Sequence, residues 1–178
     1  MKTVSKTAAK PDMQIPDAEK LCAELLDQLK PAVSPGTVMI GVHTGGAWIA
    51  AKLHLALGLK TPLGALDISF YRDDFARVGL NPQVKKSAIP MDIEGAEIIL
   101  VDDVLFTGRT VRAAMNELFD YGRPQSIELA VLVDRGGREL PVAARFTGAT
   151  LALADYQSLN LAQDSDGRLA FNLVEKAK

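Results

Sequence analysis

Short apolar runs along the chain alternate with stretches in which apolar residues recur at helical spacing. The first helical stretch begins near Asp17 and ends before Pro31, and its apolar face consists of Leu21, Leu25, Leu26 and Leu29. Two further helices are predicted at 47–57 and from Thr110 to about Tyr121. The apolar runs predict strands at 38–42, 63–70, 98–101, 127–133, 146–153 and 169–174.

Most of these strands are continuous apolar runs without an alternation of apolar and polar positions. Strands of that kind are typical of parallel sheets whose two faces are both covered. The order of strands and helices therefore predicts an α/β fold, with a mostly parallel sheet and helices on both faces. In such folds ligands bind at the carboxyl ends of the strands.

Two segments do not fit the alternation. Residues 1–14 are polar, carry three lysines and predict a basic, mobile tail before a single domain at 15–178. Residues 71–96 form a long polar stretch with several glycines and prolines. Because compact domains rarely carry so long an irregular loop without a use for it, this stretch predicts a flap over a functional site.

Composition adds limits to this picture. The chain has 178 residues, and 20 basic against 22 acidic side chains give a net charge of −2, which argues against a protein that is basic all over. Cys22 is the single cysteine, so no internal disulfide can form, as is usual in a reducing compartment. No apolar run approaches the roughly 18 residues of a membrane helix. We therefore expect a cytoplasmic protein without a membrane partner.

The segment from Ile98 to Thr110 carries the clearest chemistry. An apolar strand leads into Asp102 and Asp103, and a turn with threonines and Gly108 then opens a helix. The two carboxylates suit sugar hydroxyls or a metal ion, and the free amides of a helix N-terminus suit a phosphate. The pattern indicates a ribose 5-phosphate site; the alternative is two solvated acids before an ordinary threonine cap. The lysine of a P-loop is missing, which disfavours a nucleoside triphosphatase.

The stretch ILVDDVLFTGRT at 99–110 resembles the phosphoribosyl pyrophosphate signature of the type I phosphoribosyltransferases. Other segments resemble one subfamily of these enzymes, the pyrimidine operon attenuation proteins that are also uracil phosphoribosyltransferases. They are DISFYRDDF at 67–75, IPMDI at 89–93, DYGRP at 120–124 and LVDRGGRELP at 132–141. The resemblance covers about residues 15–178 and implies a fold with a flap and a small hood.

The resemblance implies that uracil and phosphoribosyl pyrophosphate react to give UMP and pyrophosphate, with Mg²⁺ as cofactor. Asp102 and Asp103 would be the catalytic residues at the ribose and would hold the metal directly or through substrate or water. The 5-phosphate would bind to the loop formed by Val104, Leu105, Phe106, Thr107, Gly108, Arg109 and Thr110. Thr44 and Gly45 would bind pyrophosphate, and Arg72 and Arg135 would contact substrate.

The same resemblance implies a second role, in which the protein binds leader RNA of the pyrimidine operon as a homo-oligomer, a dimer or tetramer. The candidates for RNA contact are Arg123, Arg138 and Arg145. The chain departs from the family pattern at Gly45, where an arginine is usual, and at Gly137, where a histidine is usual. We rank the enzyme first. An RNA-binding attenuator with weak or no catalysis, or a transferase for another base, remains the alternative.

Overall fold

The computed structural model describes residues 14–68 and 87–175 of the chain. The helices are α1 (Ala18–Leu29), α2 (Gly45–Leu57) and α3 (Arg109–Tyr121). The strands are β1 (Val38–Val42), β2 (Gly64–Leu66), β3 (Glu97–Leu105), β4 (Ser126–Asp134), β5 (Phe146–Thr150), β6 (Gln157–Gln163) and β7 (Leu169–Glu175). Within these ranges no helix is long and apolar enough to cross a membrane.

Five strands form one sheet in the order β2-β1-β3-β4-β5, and every pairing in it is parallel. One face packs against α1 and α2 through a core that contains Leu25, Ile49 and Val101. The other face packs against α3 through a second core that contains Leu100 and Leu118. The predicted α/β fold, with helices on both faces of a parallel sheet, is confirmed.

Helix α1 begins and ends where its sequence indicates. The Asp17 carboxylate accepts hydrogen bonds from the amides of Glu19 and Lys20, which satisfies two of the free amides in the first turn. Leu21, Leu25 and Leu29 are buried against the sheet. The apolar stripe on α1 therefore becomes part of the core, as the leucine spacing predicts.

A hairpin of β6 and β7 lies outside the main sheet, and its two strands are antiparallel. Leu159 of β6 and Phe171 of β7 join the core beside α1 and α2. The Glu19 carboxylate accepts a hydrogen bond of 2.7 Å from the amide of Leu169, which ties the hairpin to α1. Sequence analysis predicted β7 but missed β6, because polar residues alternate with its leucines and the apolar run is broken.

Several predicted boundaries are wrong. Strand β3 continues through both aspartates to Leu105, because Val104 and Leu105 pair with β4. The strand predicted at 63–70 covers only Gly64–Leu66 in the part that is described, and the one predicted at 146–153 ends at Thr150. Helix α2 begins at Gly45, two residues earlier than predicted.

The last part of the predicted flap segment, from residue 87 on, is described and contacts the sheet. Ala88 pairs with Ala65 at the sheet edge, and Ile93 is completely buried in the second core. Ala88 and Ile93 therefore lie against the sheet, and the flap at 71–96 stays a prediction. The predicted tail at 1–14, apart from its last residue, and the flap segment up to 86 lie outside the described residues.

Candidate active site

A cavity of about 890 Å³ lies at the carboxyl ends of β1, β3 and β4. Parallel sheets of this order bind ligands at the carboxyl ends of their strands. The site lies where the connections that follow two neighbouring strands run to opposite faces of the sheet. The hairpin contributes a wall through residues 158–161 of β6. The cavity therefore brings together three strand ends, two helix N-termini and the β6–β7 hairpin.

The turn from β1 into α2 forms one side of the cavity. Its His43–Thr44 peptide bond is cis, and Thr44 is the N-cap residue of α2. The Thr44 side chain makes no capping hydrogen bond, and the first-turn amides of a helix have no intrahelical partners, which suits them to bind an anion. A Cβ added to Gly46 would lie 2.9 Å from the Cα of Asp102. Only glycine therefore allows α2 to start so close to β3.

Asp102 and Asp103 lie between the two helix N-termini. Asp102 is buried, with 7% of its surface exposed, and its carboxylate accepts the Asp103 amide at 3.0 Å. The Asp103 carboxylate accepts the Val104 amide at 2.8 Å. A Cβ added to Gly45 would lie 2.8 Å from the Asp103 carboxyl carbon. The Asp103 carboxylate thus occupies the space beside Gly45 and places negative charge at the start of α2.

The loop from Phe106 to Gly108 and the first turn of α3 form the opposite side. Gly108, the N-cap residue of α3, has a φ of +90° and has no side chain with which to cap the helix. The Thr107 hydroxyl accepts the Arg109 amide at 3.3 Å. The loop is shorter than predicted, because Val104 and Leu105 belong to β3. The first turn of α3 and the nearby hydroxyls line this side of the cavity, and the anion site there stays a prediction.

Residues 134–142 support this loop from behind. The amides of Glu139 and Leu140 donate to the Thr107 carbonyl at 3.0 and 3.1 Å, and the Arg138 guanidinium donates to the Phe106 carbonyl at 2.7 Å. Arg138 also forms an ion pair with Asp134. The hydrogen bond from Arg138 lowers the pKa of the Asp134 carboxyl below its ordinary value, and the Gly136 amide acts in the same direction. These bonds hold the loop carbonyls on the side away from the cavity.

Arg135 packs against the loop through its side chain. The guanidinium carbon lies 3.9 Å from the centre of the Phe106 ring. Its terminal nitrogens donate to the carbonyls of Gln157 at 3.0 Å and Ala154 at 3.4 Å. Burial lowers the pKa of this guanidinium. Arg135 thus links β4, the loop and the start of β6.

The structure brings most of the predicted site residues together around one cavity. Its lining includes Thr44, Gly45, Asp102, Asp103, Val104, Leu105, Phe106, Thr107, Gly108, Arg109, Thr110 and Arg135. Arg72 lies outside the described residues. Four residues of the wall formed by β6 were not predicted from the sequence: Ser158, Leu159, Asn160 and Leu161. The alternation of polar and apolar positions in β6 was the signal for them. The functional roles of all these residues remain predictions.

The three candidates for RNA contact do not lie together. Arg123 precedes β4, and Arg145 forms an ion pair with Glu128 near the start of that strand. Arg138 pairs with Asp134 at its other end. Glu128 and Asp134 are six positions apart on β4, about 20 Å at 3.3 Å per residue. Arg123 and Arg145 therefore lie near the amino-terminal ends of the strands, opposite the cavity, whereas Arg138 lies beside the cavity.

Comparison with known proteins agrees with this geometry. A family model described as "Phosphoribosyl transferase domain" matches residues 13–153. The "Bifunctional protein PyrR" of Pseudomonas fluorescens is 48% identical over 157 residues, which cover 86% of this chain and 94% of that protein. The protein of the same name from Pseudomonas paraeruginosa is 47% identical, over 84% of this chain and 90% of that protein.

Solved structures show the same fold. A hypoxanthine-guanine phosphoribosyltransferase from Bacillus anthracis has a TM-score of 0.59 at 20% identity, over 78% of this chain and 84% of that one. A hypoxanthine phosphoribosyltransferase from Trypanosoma cruzi, complexed with the product IMP, has a TM-score of 0.60 at 22% identity, over 79% of this chain and 72% of that one. The chain belongs to the phosphoribosyltransferase family, and within it to the group of the bifunctional PyrR proteins.

Proposed function

We propose that the protein transfers a phosphoribosyl group from phosphoribosyl pyrophosphate to uracil, which yields UMP and pyrophosphate. One observation carries this proposal: the N-termini of α2 and α3, whose N-cap residues make no side-chain capping bond, open into one cavity, with Asp102 and Asp103 between them. Phosphoribosyl pyrophosphate has the matching order of groups, because its ribose separates the 5-phosphate from the pyrophosphate. Free helix amides suit both ends of that molecule, and carboxylates suit the hydroxyls in the middle.

In this reaction a nitrogen of uracil bonds to the anomeric carbon as the bond to pyrophosphate breaks. Positive charge develops on the ribose ring during that exchange. The negative carboxylates of Asp102 and Asp103 stabilise this positive charge and accept hydrogen bonds from the ribose hydroxyls. The α3 N-terminus and the Thr107 and Thr110 hydroxyls hold the 5-phosphate, and Thr44 and Gly45 hold the pyrophosphate. No covalent nucleophile is required, so Cys22 has no part in the reaction.

Mg²⁺ is the proposed cofactor, and the donors at the site suit it. Carboxylate oxygens are ligands that Mg²⁺ prefers, and the ion commonly takes its remaining ligands from substrate phosphates and water. The described residues contain no group of three or more acidic, histidine or cysteine ligands that would enclose a metal by themselves. We therefore assign Asp103, and Asp102 beside it, to a metal that arrives with the pyrophosphate. When bound, the ion would neutralise charge on the leaving group.

Further features of the protein also remain proposals. Residues 15–178 would form the transferase domain, with 1–14 as a tail before it. A flap rooted at residue 71 would include Arg72 and would close over the cavity to exclude water. The family resemblance supports a homo-oligomer, and the buried thiol of Cys22 suits the reducing cytoplasm.

The test is UMP formation from uracil and phosphoribosyl pyrophosphate, with and without Mg²⁺. Asp102→Asn should lower kcat by roughly 10²- to 10³-fold, the usual loss when a group that stabilises transition-state charge is removed. Asp120→Asn is the matched control, because Asp120 is exposed on α3 and outside the cavity lining. Activity of Asp102→Asn equal to that of the control would refute the assignment. If hypoxanthine, added at the same concentration as uracil, is converted in preference to uracil, another base is the substrate.

RNA regulation is the second candidate, and the family membership favours it. Of the three candidate arginines, Arg123 and Arg145 both lie at the amino-terminal ends of the strands, opposite the cavity. We therefore propose that RNA is contacted there. The test is binding of a leader hairpin, with UMP present or absent, at two salt concentrations. Specific binding that weakens in Arg123→Gln and Arg145→Gln supports this role. Weak binding without sequence preference contradicts it.

A further inference from the structure

The Phe106 ring is held in place from two directions. On one face lies the Arg135 guanidinium, 3.9 Å from the ring centre. That guanidinium is itself fixed by the carbonyls of Gln157 and Ala154. Its Nε is buried and has no hydrogen-bond partner within the described part of the chain. The geometry is that of a cation–π contact, in which the arginine packs against the ring and is tied to backbone on its other side.

Gly137 approaches the same ring from its side. A Cβ at this position would lie 2.5 Å from Cε2 and 3.0 Å from Cδ2 of Phe106. No side chain therefore fits between the ring and the Gly137 backbone. The absence of a side chain at Gly137 allows the ring to lie where it does.

The remaining surface of the ring is open to the cavity. Phe106 is 40% exposed although its loop is tied down by backbone hydrogen bonds, and it belongs to the cavity lining. In the chain it stands between Asp103, assigned to the ribose, and Thr107, assigned to the 5-phosphate. A base joined to that ribose would lie in the same cavity, whose lining includes this ring.

We propose that the Phe106 ring is the platform on which the planar base of the substrate stacks, and that Arg135 is a positioning residue that holds the ring. This inference rests on the proposed function and deepens it, because it assigns the base to one wall of the site. Aromatic rings stack with every kind of base, since each base has a π face. The platform therefore supplies affinity for the base, without selecting one base over another.

The experiment measures binding of two probes by titration calorimetry: UMP, which has a base, and ribose 5-phosphate, which has none. Phe106→Leu keeps an apolar side chain but removes the π face. It should weaken the binding of UMP roughly 5- to 100-fold, the usual effect of losing one base stack. The affinity for ribose 5-phosphate should stay within about twofold of the wild-type value. Phe106→Tyr should restore UMP binding. In turnover, KM for uracil should rise while KM for phosphoribosyl pyrophosphate stays unchanged.

Arg135→Met should weaken the binding of UMP by about two- to fivefold, because it leaves the ring in place but removes its cation–π support, together with the hydrogen bonds to the Gln157 and Ala154 carbonyls. Phe119→Leu is the matched control. Phe119 is 41% exposed and has the Arg123 guanidinium 5.7 Å from its ring centre, but it lies on α3 outside the cavity lining. That variant should bind both probes as the wild type does.

Two results would overturn the inference while the proposed function stands. One is unchanged UMP binding in Phe106→Leu. The other is an equal loss of UMP and ribose 5-phosphate, which would show that the ring only supports the phosphate loop. Failure of the wild-type protein to bind either probe would instead remove the proposed function, and this inference with it.

Discussion

Gly136 and Gly137 offer a test of what the Phe106 ring contributes to stability. Both residues have a positive φ, +71° and +69°, so an alanine at either position adopts a left-handed conformation. Their surroundings differ: a Cβ at Gly136 would meet nothing within 4 Å, whereas one at Gly137 would lie 2.5 Å from the Phe106 ring. Gly136→Ala and Gly137→Ala therefore share the backbone cost and differ only in the collision.

The backbone cost of a left-handed alanine is about 1–2 kcal/mol in each variant. In Gly137→Ala the ring must move as well. If it turns outward, the loss is the contact with Arg135, about 0.5–1 kcal/mol for an exposed cation–π pair. If it cannot turn, the cost is that of overpacking, about 1–3 kcal/mol. We expect Gly137→Ala to be less stable than Gly136→Ala by about 0.5–3 kcal/mol.

The measurement is urea unfolding of both variants and the wild type, followed by fluorescence and circular dichroism. Thermal unfolding gives a second value, because 1 kcal/mol corresponds to about 2–4 °C in a protein of this size. A third comparison uses Phe106→Leu as background, where the difference between the alanine variants should shrink. Equal unfolding free energies for Gly136→Ala and Gly137→Ala in the wild-type background would refute the reasoning.

Two further predictions concern the core. Gly46→Ala should destabilise the protein by at least about 1–3 kcal/mol, because its Cβ would meet backbone atoms of β3 that cannot move aside. Gly36→Ala is the control for it, since a Cβ there meets only the Ser34 hydroxyl at 3.9 Å, and thermal unfolding that does not separate the two would contradict the expectation. For Glu117, burial raises the carboxyl pKa above its ordinary value of 4.5, and nearby Asp67 and Asp120 act in the same direction. A raised folded-state pKa stabilises the fold fully below pH 4.5, and this contribution is lost as the pH rises through the raised value. Glu117→Gln should therefore gain stability over the wild type as the pH increases from 4 to 7 in urea unfolding, and a difference independent of pH would count against this explanation.

The sequence is most informative where one local pattern determines one structure. The leucine spacing of α1 places Leu21, Leu25 and Leu29 in the core, and the acid before them caps the helix. The β-branched run before Asp102 predicts a buried strand at the centre of the sheet. In both cases burial of an apolar face or run is the dominant free-energy term, and its periodicity is visible in the sequence.

Local patterns fail where a distant strand determines the outcome. Strand β3 extends to Leu105 because β4 offers partners for Val104 and Leu105. Residues 87–96 contain turn residues and polar positions, yet Ala88 pairs with Ala65 and Ile93 enters the core. Strand β6 has a weak apolar signal of its own and forms by pairing with β7. These interactions depend on segments far away in sequence, so no single window reveals them.

The sequence by itself determined the class of fold, the acid pair near the carboxyl end of a buried strand, and the helix that begins after the following turn. Those features depend on neighbouring residues and on backbone amides that every helix N-terminus leaves free. Only the tertiary structure decided which groups meet at the cavity. It brought a second helix N-terminus opposite the first, placed the Asp103 carboxylate against Gly45, and stacked Arg135 on Phe106 where Gly137 leaves room. Steric contact between distant segments made these choices, because each depends on space that only the packed chain defines.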